Sequence, residues 1–298
     1  MVNRREFLAA IGAACASFAA PRKVTVAAHP WVYAATLPRN DITPVLPQIF
    51  ADMSWAGMEA IELMHTALAP ADAADRIGEL SGKHKLPVIG MSYGADMWKR
   101  ESHSAILDEA ALLIPRLAKL GGRTMGTSVG TGGKSCCTLA PGKLKTPEML
   151  DAQADVLRKL VAICASNGVV LNLHNHVYEV ENDEQDLQGT LARIPDVKLG
   201  PDLNWLLRAK VDPVDFIRRH GKQMVYAHLR DQKADGRWSE AMGEGDMDYG
   251  AIGRALHAIP FTGDVAIELA HERDFKPTRP LRESLKISRE YVRRVMSW

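Results

Sequence analysis

The sequence of 298 residues lacks any apolar run of about 18 residues, so no segment has the length of an ordinary transmembrane helix. Cysteine is scarce, and four residues in the whole chain exclude a dense disulfide scaffold. Neither sign of charge dominates, because 37 lysines and arginines balance 36 aspartates and glutamates. A chain with this balance has no global field to attract nucleic acid or an anionic membrane. The 46% of hydrophobic residues predict instead a folded protein with one large core.

Residues 1–19 have the pattern of an export signal. Arg4-Arg5 precedes Phe7-Leu8, and an uncharged stretch of small and apolar residues follows, with a small-x-small site at Ser17-Phe18-Ala19. The paired arginines resemble a twin-arginine signal, which predicts an exported, periplasmic protein. The alternative is an amphipathic first helix of the domain, but the polar face that a surface helix needs is missing.

Eight short apolar runs recur along the rest of the chain, with helical patterns between them. Buried strands that alternate with helices indicate a parallel sheet, and eight β-α units favour a closed barrel over an open sheet. The sequence contains neither of the two glycine motifs of a nucleotide-binding turn, G-x-G-x-x-G and G-x-x-x-x-G-K-[ST]. We therefore predict one α/β domain over residues 22–298, a (β/α)8 TIM barrel. The predicted strands are Val24–Ala28, Ala60–Met64, Pro87–Ser92, Thr124–Ser128, Val169–Leu173, Val197–Pro201, Met224–Leu229 and Val265–Leu269.

A glycine-rich segment follows the fourth predicted strand. Gly130, Gly132 and Gly133 begin a stretch of Lys, Ser, Thr and Pro that extends to about Thr146. No helix opens directly behind these glycines, so the pattern favours a lid or rim segment over a phosphate-binding loop. Cys136-Cys137 in this segment is predicted to be a pair of free thiols or a feature of the loop.

Imidazoles and carboxylates collect where the last four predicted strands end. Because the reactive groups of a barrel lie at the carboxyl ends of its strands, we expect these side chains to converge on one point. Mixed nitrogen and oxygen ligands without a thiolate suit a divalent metal ion: Mn²⁺, Mg²⁺, Co²⁺ or Zn²⁺. The residues are His174, His176 and Glu179 after the fifth strand, Asp202 after the sixth, His228 in the seventh and Glu268 in the eighth.

Each of these residues also has a purely structural interpretation. His228 alone would fit a core histidine, and Asp202 would fit the cap of the following helix. Glu268 stands between Ile267 and Leu269, where a buried carboxylate is costly without a partner. The recurrence of such groups at four successive strand ends favours a site.

Four further residues are candidates for contacts with a substrate: His29, Glu62, Trp205 and Arg230. His29 and Glu62 end the first and second predicted strands. Trp205 would form an apolar wall for a sugar ring, and plain core packing is the alternative. Arg230 would hold an oxyanion, unless it pairs with the adjacent Asp231.

These residues resemble those of the xylose isomerase-like barrel superfamily, which includes sugar isomerases and epimerases, inosose dehydratase and endonuclease IV. The matching segments are Ala56–Leu63 with its Gly-x-x-x-Ile-Glu pattern, His228–Asp231, Gly243–Tyr249 and Ile267-Glu268. The resemblance implies a metal held by Asp202, His228, Glu268 and one group from the fifth strand. The usual group there is a Glu.

This chain departs from the family at the fifth strand, where His174 stands in place of that Glu. Either His174 binds the metal, or Glu179 folds back into the site. We favour Glu179, because three carboxylates and one imidazole suit a hard cation better than two imidazoles do. His174 or His176, with Glu268 opposite, would then move protons as the catalytic groups.

The resemblance implies a metal-dependent sugar isomerase or epimerase that acts on a keto-sugar or polyol-like substrate through an enediolate. One alternative is a metal-dependent lyase or dehydratase on a 3-keto-sugar or inosose-like substrate, and another is an exported sugar-binding protein without turnover. A nuclease is disfavoured, because Trp205 and Arg237-Trp238 stand where endonuclease IV needs histidines. The expected partner is therefore a small sugar and not nucleic acid, while the oligomeric state is not predicted.

Overall fold

The computed structural model describes residues 23–131 and 144–298, and eight parallel strands form a single sheet within them. The strands are β1 Val26–Ala28, β2 Ala60–Met64, β3 Val88–Gly94, β4 Thr124–Ser128, β5 Val170–Leu173, β6 Lys198–Leu199, β7 Tyr226–Leu229 and β8 Asp264–Ile267. They lie in the order β6-β5-β4-β3-β2-β1-β8-β7. Every predicted strand overlaps an observed one.

The sheet closes into a barrel between β6 and β7. Isolated parallel bridges join Leu199 to Met224 and Asp202 to His228. The His228 N–H donates to the carbonyl of Pro201 at 2.9 Å. Strand β6 is shorter than predicted because Pro201 has no N–H with which to continue the ladder. The prediction of a (β/α)8 barrel is confirmed.

Helices cover the outside of the barrel. Several begin at sequence signals: the Thr146 hydroxyl accepts from the Met149 N–H ahead of α5, and the Asp248 carboxylate accepts from Ala251 ahead of α9. The helices are α1 Trp31–Ala34, α2 Leu46–Trp55, α3 Ala73–His84, α4 His103–Lys119, α5 Pro147–Ser166, α6 Val177–Arg193, α7 Leu203–Arg208, α8 Pro213–His220, α9 Tyr249–Ala258 and α10 Leu281–Met296. Short 3-10 turns occupy Pro38–Asn40, Thr43–Val45, His65–Leu68 and Arg100–Ser102.

Small side chains fill the middle of the barrel. Ala27, Ala60 and Ala266 from β1, β2 and β8 pack there with Ile89 and Tyr226, and all five are buried. The larger hydrophobic cluster lies between the outer face of the sheet and the helices. Three alanines on adjacent strands leave space inside the barrel for the Tyr226 ring and for polar side chains above it.

Helix α6 contains an irregular turn that follows its first helical turn. Asn182, Asp183 and Glu184 have φ values of 53°, 57° and 59°, in the left-handed region. Asn and Asp tolerate this region better than most residues. The Glu184 carboxylate is held by both terminal nitrogens of Arg219 on α8, with Nη1 at 2.9 Å. This ion pair joins the irregular turn of α6 to α8.

Several predictions fall on residues that lie outside the described ranges: the signal at 1–19, Gly132, Gly133 and Cys136-Cys137. In the described part of the chain, Cys164 is buried and free. No helix among the described residues is long and apolar enough to cross a membrane.

Candidate active site

Four side chains from successive strands meet at the carboxyl end of the barrel. His174 and Asp202 follow β5 and β6, His228 lies in β7, and Glu268 follows β8. One nitrogen or oxygen atom of each residue lies within 4.8 Å of the corresponding atoms of the other three, and all four are buried. The strand-end pattern in the sequence therefore brings these residues together as expected.

Asp202 uses its two carboxylate oxygens differently. Oδ1 caps α7 by accepting from the N–H groups of Asn204 at 2.8 Å and Trp205 at 3.0 Å. Oδ2 has no hydrogen-bond partner and lies 3.3 Å from Nη2 of Arg230. Burial raises the pKa of Asp202. The structural and the functional interpretation of this residue are thus compatible, because each involves a different oxygen.

The His228 ring lies between two buried carboxylates. Its Nδ1 is 2.6 Å from Oε2 of Glu268, and its Nε2 is 2.6 Å from Oε2 of Glu62. Burial alone would lower the pKa of His228, but the two carboxylates raise it to about 10. In the protein without metal, the imidazolium form is therefore the favoured one.

Arg230 and His29 surround Glu268. Nη2 of Arg230 donates to Oε1 of Glu268 at 2.8 Å, and Nδ1 of His29 lies 3.6 Å from the same oxygen. Burial opposes ionisation of Glu268, but Arg230, with His29 and His228, holds its pKa well below the usual range. Arg230 does not pair with Asp231, whose oxygens accept from backbone N–H groups of the following loop.

His174 completes the cluster as a neutral imidazole. Its Nδ1 is buried without a hydrogen-bond partner. Burial, with the nearby rings of His228 and His176, holds the pKa of His174 well below the usual value. The ring centroids of His174 and His228 are 4.5 Å apart. A neutral histidine with an unshared lone pair is in the form that binds metal.

Glu179, which the sequence analysis favours as the fourth ligand, lies outside the cluster. Its Oε1 accepts from the Ser128 hydroxyl at 2.7 Å and the Val129 N–H at 3.0 Å. Its Oε2 accepts from the His176 N–H at 2.5 Å and forms a capping box at the start of α6. The helix begins immediately after His176, so Glu179 sits at the third helical position and reaches back to the cap.

An aromatic group stands at the mouth of the barrel. The His176 side chain is 27% exposed, and its ring stacks on Tyr178 with 5.3 Å between centroids. Trp205 lies 5.7 Å from His176 and packs edge-to-face on Trp238. Arg208 lies over the Trp238 ring at 4.1 Å. The sequence analysis did not identify Tyr178 as a residue of the site. The only signal for it in the sequence is its place two residues after His176.

Glu62 and His29 lie deeper than the sequence analysis expected. Glu62 is fully buried beneath His228, where it also accepts from the Tyr226 hydroxyl at 3.2 Å. His29 is 3% exposed, and its Nε2 is 2.8 Å from the Ser92 hydroxyl. Neither offers a surface for contact with a substrate in this arrangement. Tyr226 and Ser92 were missed, because their partners lie on other strands.

The donor set of the cluster fits a divalent metal ion. It combines two imidazoles and two carboxylates, and Nδ1 of His174 and Oδ2 of Asp202 have no hydrogen-bond partner. Such unpaired buried atoms are uncommon unless an ion or water takes them. Two imidazole nitrogens favour Zn²⁺ or Co²⁺ over Mg²⁺ and Mn²⁺, which prefer oxygen.

Comparison with known families agrees with this geometry. A family model for the xylose isomerase-like TIM barrel matches residues 50–291. The chain belongs to this family. No curated protein matches the chain. Most of the barrel and all four residues of the cluster fall within the matched range.

Several solved structures share the fold of this chain. An L-ribulose 3-epimerase is 20% identical, with a TM-score of 0.71 over 92% of this chain and 95% of that chain. A 3-keto-D-glucoside 4-epimerase from E. coli is 17% identical, with a TM-score of 0.69 over 90% of this chain and 100% of that chain. A D-psicose 3-epimerase is 15% identical, with a TM-score of 0.71 over 92% of this chain and 100% of that chain. Likeness at these identities shows the common fold.

Proposed function

We propose that this protein is a divalent-metal-dependent sugar isomerase or epimerase that acts on a keto-sugar through an enediolate. The observation that carries the proposal is the buried cluster of His174, Asp202, His228 and Glu268 at the carboxyl end of the barrel. Structural neighbours named as sugar epimerases support it. By name, these neighbours act on a 3-keto-D-glucoside, on L-ribulose and on D-psicose.

The four residues of the cluster would hold the metal, with His174 as the fourth ligand instead of Glu179. A bound divalent ion would act as a Lewis acid that polarises a sugar carbonyl and stabilises the charge of an enediolate. The burial of all four residues keeps water away from the reacting atoms and strengthens their electrostatic interactions. Arg230 holds one oxygen of Glu268 and so orients that carboxylate.

Proton transfer needs a group that faces the substrate. Among the histidines near the cluster, His176 has a side chain that is partly exposed at the mouth. We assign His176 and Glu268 as the two acid-base groups, so that a proton is removed on one face and returned on the other. The hydroxyl of Tyr178 is 3.2 Å from Nδ1 of His176 and orients the ring.

The aromatic side chains at the mouth fit the apolar face of a sugar ring. Trp205 and Trp238 form an edge-to-face pair beside His176. The two arginines beside this pair are already engaged, since Arg230 binds Glu268 and Arg208 lies 3.5 Å from Glu272. Trp205 is buried, whereas Trp238 is half-buried. Stacking on Trp238, with hydrogen bonds from the polar groups around it, would place the carbonyl next to the cluster.

Proton exchange tests the proposal directly. The metal-loaded protein is incubated in D₂O with D-fructose, L-ribulose and a 3-keto-glucoside, and the products are followed by proton NMR. We expect deuterium at the carbon beside the carbonyl, together with the epimer or isomer. Chelation and Asp202→Asn should both abolish the exchange, whereas Asp212→Asn, at the exposed cap of α8, should not. An enone product would assign a lyase, and sugar binding without exchange would assign a binding protein.

A further inference from the structure

Glu62 reaches across the inside of the barrel from β2 to β7. It is fully buried, and its Oε2 accepts from Nε2 of His228 at 2.6 Å and from the Tyr226 hydroxyl at 3.2 Å. Strands β1 and β8 lie between β2 and β7 in the sheet. The contact is possible because Ala27, Ala60 and Ala266 on these strands leave the interior open.

The two nitrogens of His228 face opposite partners. Nδ1 points to Glu268 and the cluster, and Nε2 points to Glu62. Without metal, a carboxylate lies 2.6 Å from each of the two nitrogens. An Nδ1 that binds a metal ion carries no proton, and the Glu62 carboxylate then accepts the one proton that remains, at Nε2. Nδ1 then presents its lone pair to the cluster.

We propose that Glu62 is the positioning residue of the metal centre: it fixes the Nε2–H tautomer and the ring orientation of His228, so that Nδ1 is the nitrogen that binds the divalent ion. This inference rests on the metal dependence of the proposed function, but it does not depend on which sugar is the substrate.

Contact with a substrate would not explain Glu62. The side chain has no exposed surface, and the His228 ring lies between it and the cluster. Stability does not explain it either, because Oε1 is buried without a hydrogen-bond partner and faces Gly126, where an added Cβ would lie 3.5 Å away. A half-paired buried carboxylate is an expensive element of a core. Its contacts go to the ligand histidine and to one tyrosine.

Variants at Glu62 test the inference through metal binding without any substrate. Glu62→Leu removes the acceptor at Nε2, and we expect the affinity for Zn²⁺ or Co²⁺, measured by competition with a chelator, to fall by about 10- to 100-fold. Glu62→Gln keeps a neutral acceptor and should lose less. The matched control is Glu59→Gln, one residue before β2, where the carboxylate accepts from the Val26 N–H outside the site.

A spectroscopic readout separates positioning from a general loss of structure. In ¹⁵N-histidine spectra of the Zn²⁺-loaded protein, one ring, assigned by its loss in His228→Gln, should show a protonated Nε2 and a metal-bound Nδ1. Glu62→Leu should lose this fixed tautomer, and Glu62→Gln should retain it in part. If Glu62→Leu does not fold, Glu62→Gln carries the test with both readouts.

The possible failures are distinguishable. Unchanged metal affinity and unchanged His228 signals in both Glu62 variants, beside a wild-type protein that binds metal, would overturn the positioning role and leave the proposed function intact. A wild-type protein that binds no divalent ion would overturn both. Metal binding with the expected tautomer but no proton exchange on any sugar would support Glu62 and refute the isomerase.

Discussion

The divided use of the Asp202 carboxylate allows two substitutions to separate folding from metal binding. Asp202→Asn keeps an oxygen that can accept from Asn204 and Trp205, so the cap of α7 is retained while the charge at the cluster is lost. Asp202→Ala removes the cap as well. Loss of such a cap costs about 1 kcal/mol, within a range of about 0.5–2 kcal/mol. A barrel of this size would then melt about 2–4 °C lower.

The reference is Asp212→Ala, which removes the equivalent cap of α8 from Val214 at 2.7 Å and Asp215 at 3.2 Å. Because the Asp212 cap is exposed, Asp212→Ala measures the loss of a cap alone. We expect urea unfolding of the metal-free proteins to show a larger loss for the buried Asp202→Ala, which also removes the carboxylate beside Arg230, and a smaller loss for Asp202→Asn than for Asp202→Ala. Calorimetric titration should show metal affinity reduced more than about 100-fold in both Asp202 variants and unchanged in Asp212→Ala. Loss of a residue that only hydrogen-bonds a metal ligand costs about 10- to 100-fold, so a larger loss identifies a ligand. Wild-type metal affinity in Asp202→Asn would refute the assignment of Oδ2 as a ligand.

Two further experiments follow from the structure and a third from the sequence. His174→Glu should shift the preference from Zn²⁺ or Co²⁺ towards Mg²⁺ and Mn²⁺, whereas His176→Glu should not, and equal preferences in the two variants would exclude His174 as a ligand. Desolvation would raise the pKa of Glu184, but hydrogen bonds from Arg219 lower it below its ordinary value. The wild type should therefore be more stable than Glu184→Gln above pH 4.5, and this difference should vanish as the pH falls. A difference in the free energy of unfolding that stays constant with pH would contradict this. Replacement of Arg4-Arg5 by lysines should keep the precursor in the cytoplasm, and an unchanged periplasmic yield would argue against the twin-arginine route.

The barrel and most of the cluster could be predicted because both depend on local patterns. Strands buried on two faces give continuous apolar runs, so even the two-residue strand β6 was found from Val197–Pro201. Asp202, His228 and Glu268 stand where such runs end, and the fold brings strand ends together. The family resemblance added that a fourth group comes from β5.

What could not be predicted depends on contacts across the barrel and on the exact start of a helix. Glu62 and His228 are 166 residues apart, and nothing in either segment identifies the other as its partner. The choice between His174 and Glu179 turned on whether α6 begins at His176 or later. The spacing from His176 to Glu179 fits a capping box. The same residues also fit a set of metal ligands, and the sequence alone does not decide between the two interpretations.

The electrostatics of the site support the proposed binding of a divalent cation. Glu62, Asp202 and Glu268 are three carboxylates taken almost entirely out of water, and Arg230 is the arginine that contacts two of them. The free-energy cost of removing these charges from water is not offset by their contacts with one another, since well-packed apolar side chains in the same places are often as stable. The atoms that lack a partner include Nδ1 of His174 and Oδ2 of Asp202, which belong to the cluster. The same atoms that raise the free energy of the metal-free protein are those that a divalent ion would bind, so the cost of burying them is offset when the ion is bound.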